Sequence, residues 1–238
     1  MANFKCYERN GKQYARFSTV KDLLDKPALI PWAVGQAIEY VKKNYNPAEP
    51  LEAVLERAKT EYRSVAADAA DIGSEIHGLI ENYIKNGVDP RGKIRPEVEN
   101  GFLAFLEWEQ AHGVKWIGSE KTVFDDYIMV AGTVDAIAEI DGKRYLIDFK
   151  SSKAIYDEYK MQVAVYTKMY ENENDYLEGA GILRLDKNTG LPEWVDFSQK
   201  TNWRDEFNRL WLAFAGLSDY FYFSKNRRLK NRRANEYQ

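Results

Sequence analysis

"GTVDAIAEIDGKRYLIDFK", residues 132–150, holds two apolar runs on either side of Asp141-Gly142. Asp-Gly between alternating apolar residues is a strong signal for a two-residue hairpin turn with positive φ at both central positions. With those two residues as the turn, Ile140 faces Lys143, and the register that follows sets Asp135 opposite Asp148 and Thr133 opposite Lys150. Alternation puts Thr133, Asp135, Ile137 and Glu139 on one face with Arg144, Leu146, Asp148 and Lys150. The other face, Val134, Ala136, Ala138, Ile140, Tyr145, Ile147 and Phe149, is apolar and reads as core.

Two like charges opposed across an antiparallel pair destabilise it, by up to roughly 1 kcal/mol where exposed and by more where desolvated. A bound cation removes the conflict, whereas Lys150 neutralises only one of the two carboxylates. The plainer reading is a solvated edge with an Asp-Lys salt bridge. This stretch alone leaves both open.

The chain has 238 residues, 45% hydrophobic and 30% charged, which suits one soluble domain with a sizeable core. The first residues, "MANFKCYERNGK", lack the apolar run of a secretory signal, and no stretch approaches the length of a membrane span, so a cytoplasmic protein is expected. The single cysteine, Cys6, excludes an internal disulfide, a cysteine-rich zinc site and a four-cysteine iron-sulfur cluster. Net charge is -3, but "KNRRLKNRR" at 225–233 carries six of the 34 basic residues and leaves 28 basic against 36 acidic residues in 1–224. A basic C-terminal tail of this kind suits either contact with phosphates or a solubilising end.

Along the chain, the pattern predicts an N-terminal hairpin turning at Asn10-Gly11, a short helix capped by Ser18, and a helix opened by Pro31 that runs to about Tyr45. Residues 51–86 read as helix with a break or close packing near Asp71, Gly73 and Ser74, and a further helix covers about 95–113. Strands follow at about 114–124, 127–140 and 143–151, then a helix at 156–173, strands at 180–186 and 192–198, and an aromatic helix at 203–224. This order predicts an α/β fold: a mixed sheet containing an antiparallel three-strand meander, a crossover helix and flanking helices. The expected organisation is a single domain over 1–238, with an N-terminal hairpin and helices in 1–113, a core over about 70–224 and a basic tail at 225–238.

Four polar features stand out from this frame. On "GSEIHGLIENYI", His77 and Glu81 are four apart and share a helix face; a lone histidine there is more often structural than a ligand. On "YKMQVAVY", Gln162 and Tyr166 are four apart as well, and a glutamine among Met161, Val163 and Ala164 calls for a specific hydrogen-bonding partner. Asp135 and the Asp148-Lys150 pair complete the set.

The ordered series of a helix histidine, "GTVD", "DFK" and "QVAVY", spanning His77 to Tyr166, resembles the PD-(D/E)XK nuclease superfamily in its RecB-like exonuclease branch. The resemblance implies a restriction-endonuclease-like core, with His77, Asp135, Asp148 and the backbone carbonyl of Phe149 as metal ligands. It implies that Lys150 is the catalytic lysine and that Gln162 and Tyr166 support the site or hold DNA. Glu120, in "GSEKTVF", matches an acidic position on the preceding strand; a solvated strand residue is the plainer reading. Some members carry a four-cysteine cluster that Cys6 cannot supply, so the cluster-free relatives, including phage recombination exonucleases, are the better comparison.

The activity so implied is metal-dependent hydrolysis of DNA, by an exonuclease working in recombination, repair or phage DNA processing. Magnesium or manganese suits carboxylates with one imidazole. DNA is the expected partner, a separate recombination or annealing protein a further one, and a membrane is not expected. The competing readings are a structure-specific endonuclease, a non-catalytic nucleic-acid-binding module that keeps the fold, and a hydrolase of small phosphate esters.

Overall fold

A computed structural model of the chain describes residues 4–87 and 94–235, with side chains placed as far as Lys225. In chain order the elements are β1 (Cys6–Arg9), β2 (Lys12–Arg16), α1 (Phe17–Lys21), α2 (Leu29–Asn44), α3 (Leu51–Asn86), α4 (Pro96–His112), β3 (Lys115–Asp125), β4 (Val130–Ile140), β5 (Lys143–Lys150), α5 (Asp157–Glu171), β6 (Gly179–Leu185), β7 (Pro192–Asp196) and α6 (Trp203–Asn235). The seven strands form one mixed sheet in the order β1-β2-β4-β5-β6-β7, with β3 also paired to β4. β3, β4 and β5 form the antiparallel meander, and α5 carries the chain across to β6, parallel to β5. The α/β class, the meander and the crossover helix agree with the pattern read from the sequence.

By packing, the chain falls into two compact units: residues 1–23 with 76–238, and residues 24–75. The smaller unit is α2 with most of α3. Within it Arg57 holds Glu49 through two hydrogen bonds of 2.6 and 2.8 Å and reaches the Tyr40 hydroxyl at 3.2 Å. α2 buries no residue among those described, and Leu29, Ile30, Val34 and Ile38 stay exposed along it. The larger unit holds the whole sheet.

Both predicted tight turns form. Asn10 and Gly11 have φ of 53° and 73°, and Asp141 and Gly142 have 51° and 73°, the left-handed pair that lets a two-residue loop match the twist of its strands. α4 starts with Pro96 and ends at Gly113 with φ 56°, the usual asymmetry of helix ends. Four expectations need correction. Ser18 lies inside α1 and Arg16 occupies the cap, without a side-chain hydrogen bond. α2 begins two residues ahead of Pro31, which a first turn tolerates because its N–H groups have no partner in the helix. α3 runs through Asp71, Gly73 and Ser74 unbroken; the Ser74 hydroxyl bonds back to the Ala70 carbonyl at 3.0 Å, and one glycine costs a long helix only about 1 kcal/mol. Finally, α6 continues to Asn235, so the segment from 225, read as a tail, begins as helix; the side chains of 226–238 lie outside those described.

The face assignment of the β4–β5 hairpin also changes. Val134, Ala136, Ala138, Ile140, Tyr145, Ile147 and Phe149 are buried as expected, but so are Ile137 and Leu146 on the opposite face. Those two join Val163, Tyr166 and Met169 of α5 and Phe207 and Phe214 of α6 in the main hydrophobic core. Phe149 instead meets Phe105 of α4 and Trp116 of β3, at ring centroid distances of 5.8 and 6.4 Å. Helices cover both faces, as they do wherever parallel strands are joined by a crossover helix.

Candidate metal centre

Strand β4 assembles the polar residues because its two edges are used differently. β3 pairs along one edge from Lys115–Glu139 to Asp125–Val130. The other edge is therefore shared: β2 takes Val130 and Ala131, and β5 takes Ala136 to Ile140. Residues 132–135 fall between them without a ladder partner on that edge. In this gap the Thr133 hydroxyl meets the Tyr7 hydroxyl at 2.9 Å, and Oδ2 of Asp135 accepts a hydrogen bond from the Phe149 N–H at 2.8 Å.

That bond explains a difference from the sequence reading. The register runs as predicted from Ile140–Lys143 to Ala136–Ile147 and then stops, so Asp135–Asp148 and Thr133–Lys150 are not ladder pairs. In a continued register the Phe149 N–H would serve the Val134 carbonyl; the Asp135 carboxylate takes that donor instead. Beyond this point β5 keeps its pairing with β6, where Asp148 and Lys150 stand beside Ile182 and Arg184. In a strand the N–H and C=O of one residue point to the same edge. The Phe149 carbonyl therefore faces the edge that carries Asp135.

Asp135 has two further polar neighbours from distant parts of the chain. Nδ1 of His77, on α3, lies 3.7 Å from its Oδ1, and the imidazole stands edge-on to Phe149 at 6.0 Å. Glu120 of β3 lies between the paired residues Ser119–Ala136 and Lys121–Val134, a position that faces Asp135. Its φ is 53°, left-handed, which costs a non-glycine residue about 1–2 kcal/mol. Ligand atoms of His77, Glu120 and Asp135 all lie within 4.8 Å of one another, the one such metal-ligating group among the described residues.

Asp148 is the most buried of the acids, with 1% of its surface exposed. Its Oδ2 is 2.7 Å from Nζ of Lys150, an ion pair, and neither carboxylate oxygen has a well-aligned hydrogen bond. Burial raises this carboxyl, Lys150 opposes the rise and Asp135 adds to it, which leaves it at about 6. Burial also works against the Lys150 ammonium, but Asp148 and Asp135 outweigh it and hold the lysine above its ordinary value. Glu120 is raised by burial and then by Asp135 and Glu81, with His77 and Lys85 opposing. Three carboxylates thus converge against one ammonium.

Of His77, Asp135 and Asp148, expected from the sequence as one ligand set, His77 and Asp135 lie close together. The tight group contains Glu120, and Asp148 stands next to it, paired to Lys150. Glu81, four residues from His77, is engaged by Lys85 at 2.5 Å. On α5, Gln162 is half-buried and forms a side-chain hydrogen bond with Tyr166, whose phenol burial holds far above its ordinary range. Tyr166 is 7% exposed, and a Cβ on Gly132 would collide with its ring. That close approach is why the residue three before Asp135 is glycine.

One contributor was not singled out from the sequence. The ring of Tyr159 lies 5.0 Å from Nζ of Lys150. Its spacing from Gln162 and Tyr166, three and seven residues, puts all three on one face of α5, which is the signal that could have found it.

No protein-family model matches the chain, and no curated protein matches it. Among solved structures it is similar to the crystal structure of SSO0001, with 12% identity over 84% of this chain and 82% of that one and a TM-score of 0.37.

Proposed function

We propose that this chain is a metal-dependent deoxyribonuclease of the PD-(D/E)XK kind, working on DNA as an exonuclease, with a restriction-endonuclease-like core formed by β3, β4, β5, α5 and β6. The observation that carries the reading is the convergence of His77, Glu120, Asp135, Asp148 and Lys150, from four elements, on the gap where β4 passes from β2 to β5.

The residues present fit a divalent cation. Oxygen donors with one imidazole suit magnesium or manganese, and the buried Asp148 carboxylate is matched by Lys150 on Oδ2 while its Oδ1 has no hydrogen bond. His77, Glu120 and Asp135 would hold the ion, together with Asp148 and the Phe149 carbonyl. A cation bound there supplies charge neutralisation at the phosphodiester and a more acidic water.

Hydrolysis adds the oxygen of water to phosphorus, expels a sugar oxygen and moves one proton from the former to the latter. Lys150 is suited to this reaction as a cation: the two aspartates keep it protonated, so it can donate a hydrogen bond to the attacking water and to the charge that grows on phosphate. Tyr166 is too buried to hold DNA. Its part is to fix β4 through Gly132, while Gln162 holds its hydroxyl.

Incubation of the pure protein with end-labelled linear DNA and with closed circular DNA, in magnesium, manganese or chelator, tests the reading. Loss of linear DNA from its ends, dependent on metal, is the expected result. Nicking of the circle would identify an endonuclease. Binding without cleavage in either metal would leave a nucleic-acid-binding module and overturn the assignment.

A further inference from the structure

The N-terminus of α5 carries an aromatic step that the hydrolytic chemistry does not use. Lys150 ends β5, and six residues later Tyr156 occupies the cap of α5, with 48% of its surface exposed. Its ring stands edge-to-face with Tyr159, centroids 5.4 Å apart at 75°. Tyr159 in turn lies 5.0 Å from the Lys150 ammonium, so an exposed ring and the ammonium are within about 10 Å of each other, bridged by a half-buried one. An exposed tyrosine is ordinary; one braced on the ring that contacts the lysine at a reaction centre is placed for a ligand.

We propose that Tyr156 is a stacking platform for a nucleobase next to the phosphodiester held at Lys150. This rests on the nuclease reading and specifies its substrate: a terminal or unpaired nucleotide, because inside a duplex both faces of a base are already stacked. Asp157 and Glu158 open α5, with Glu158 ion-paired to Lys21 at 3.4 Å, and the uncharged ring face of Tyr156 stands exposed beside them. Stacking of a base on an aromatic side chain tolerates every base identity, which suits an enzyme that advances along a strand.

The test uses single-stranded oligonucleotides, with wild type, Tyr156→Ala and Tyr156→Phe. By alanine substitution a stacked base is worth about 1–3 kcal/mol, a factor of roughly 5 to 150 in affinity. Tyr156→Ala should raise KM by that factor with little change in kcat, and Tyr156→Phe should restore it. In wild type an abasic site next to the cleaved bond should raise KM similarly, and combining it with Tyr156→Ala should add almost nothing. With calcium in place of the reactive metal, 2-aminopurine at that position should be quenched by wild type and Tyr156→Phe but not by Tyr156→Ala. Equal KM for wild type and Tyr156→Ala, or a loss that the abasic substrate does not mask, overturns the platform while leaving the nuclease reading intact. Failure of wild type to cleave any nucleic acid overturns both.

Discussion

The main-chain N–H of Phe149 donates to Oδ2 of Asp135 at 2.8 Å, where the hairpin register would have sent it to the Val134 carbonyl. A carboxylate thus replaces a rung of the sheet, and β4 and β5 part at the point where the other acids converge. Asp135 has a structural duty as well as the proposed metal-binding one, and the two can be separated.

Asp135→Asn keeps an acceptor for the Phe149 N–H, whereas Asp135→Ala leaves a buried donor without one. Such a loss costs about 1–3 kcal/mol. In chelator, urea denaturation should place Asp135→Ala below Asp135→Asn by that amount, while neither shows a manganese-dependent gain in melting temperature. Equal stabilities would mean that the hydrogen bond contributes nothing.

The Glu120 backbone carries the reverse trade. Glycine adopts φ 53° without penalty and removes a carboxylate that faces Asp135. Glu120→Gly should therefore raise the stability of the metal-free protein by about 1 kcal/mol and reduce the stabilisation by manganese. A fall in metal-free stability would show that the left-handed residue is not strained.

Metal-free stability should also depend on Asp148. Its carboxyl titrates near 6 when folded against an ordinary value of 3.8, so the folded state holds the proton more tightly. The corresponding stabilisation is complete below about pH 4, falls as the pH rises from about 4 to 6, and is absent above. Chemical denaturation in chelator across this window should show that fall in wild type and a smaller one in Asp148→Asn. Parallel profiles would contradict the shift.

Turn chemistry made much of this legible beforehand. Asp141-Gly142 set a register that holds for five pairs, and the apolar alternation around it located β4 and β5. The end of that register was not legible, because it depends on β2, more than a hundred residues away in sequence, occupying the same edge of β4. The burial of Ile137 and Leu146 depends likewise on α5 and α6. Asp135, Asp148 and Lys150 were readable as charges in apolar strands. The tight association of Glu120 with His77 was not, because it needs a helix and a strand more than forty residues apart to meet.

Gly132 and Tyr166 were read as parts of separate motifs, yet they are in contact. Gly132→Ala forces a methyl group into the Tyr166 ring, and overpacking of this kind costs about 1–3 kcal/mol. Replacing Tyr166 with Leu should itself destabilise the core, but adding Gly132→Ala to it should cost much less than Gly132→Ala alone. Strict additivity in a denaturation double-mutant cycle would argue against the contact.

The most direct test of the proposed chemistry is the single-turnover rate of DNA cleavage by Lys150→Ala in manganese, measured beside its DNA affinity in calcium. Lysine acting on the attacking water and the transition state predicts a rate lowered by at least about a hundredfold with affinity within a fewfold of wild type. A variant that binds DNA and cleaves it at the wild-type rate would contradict the account.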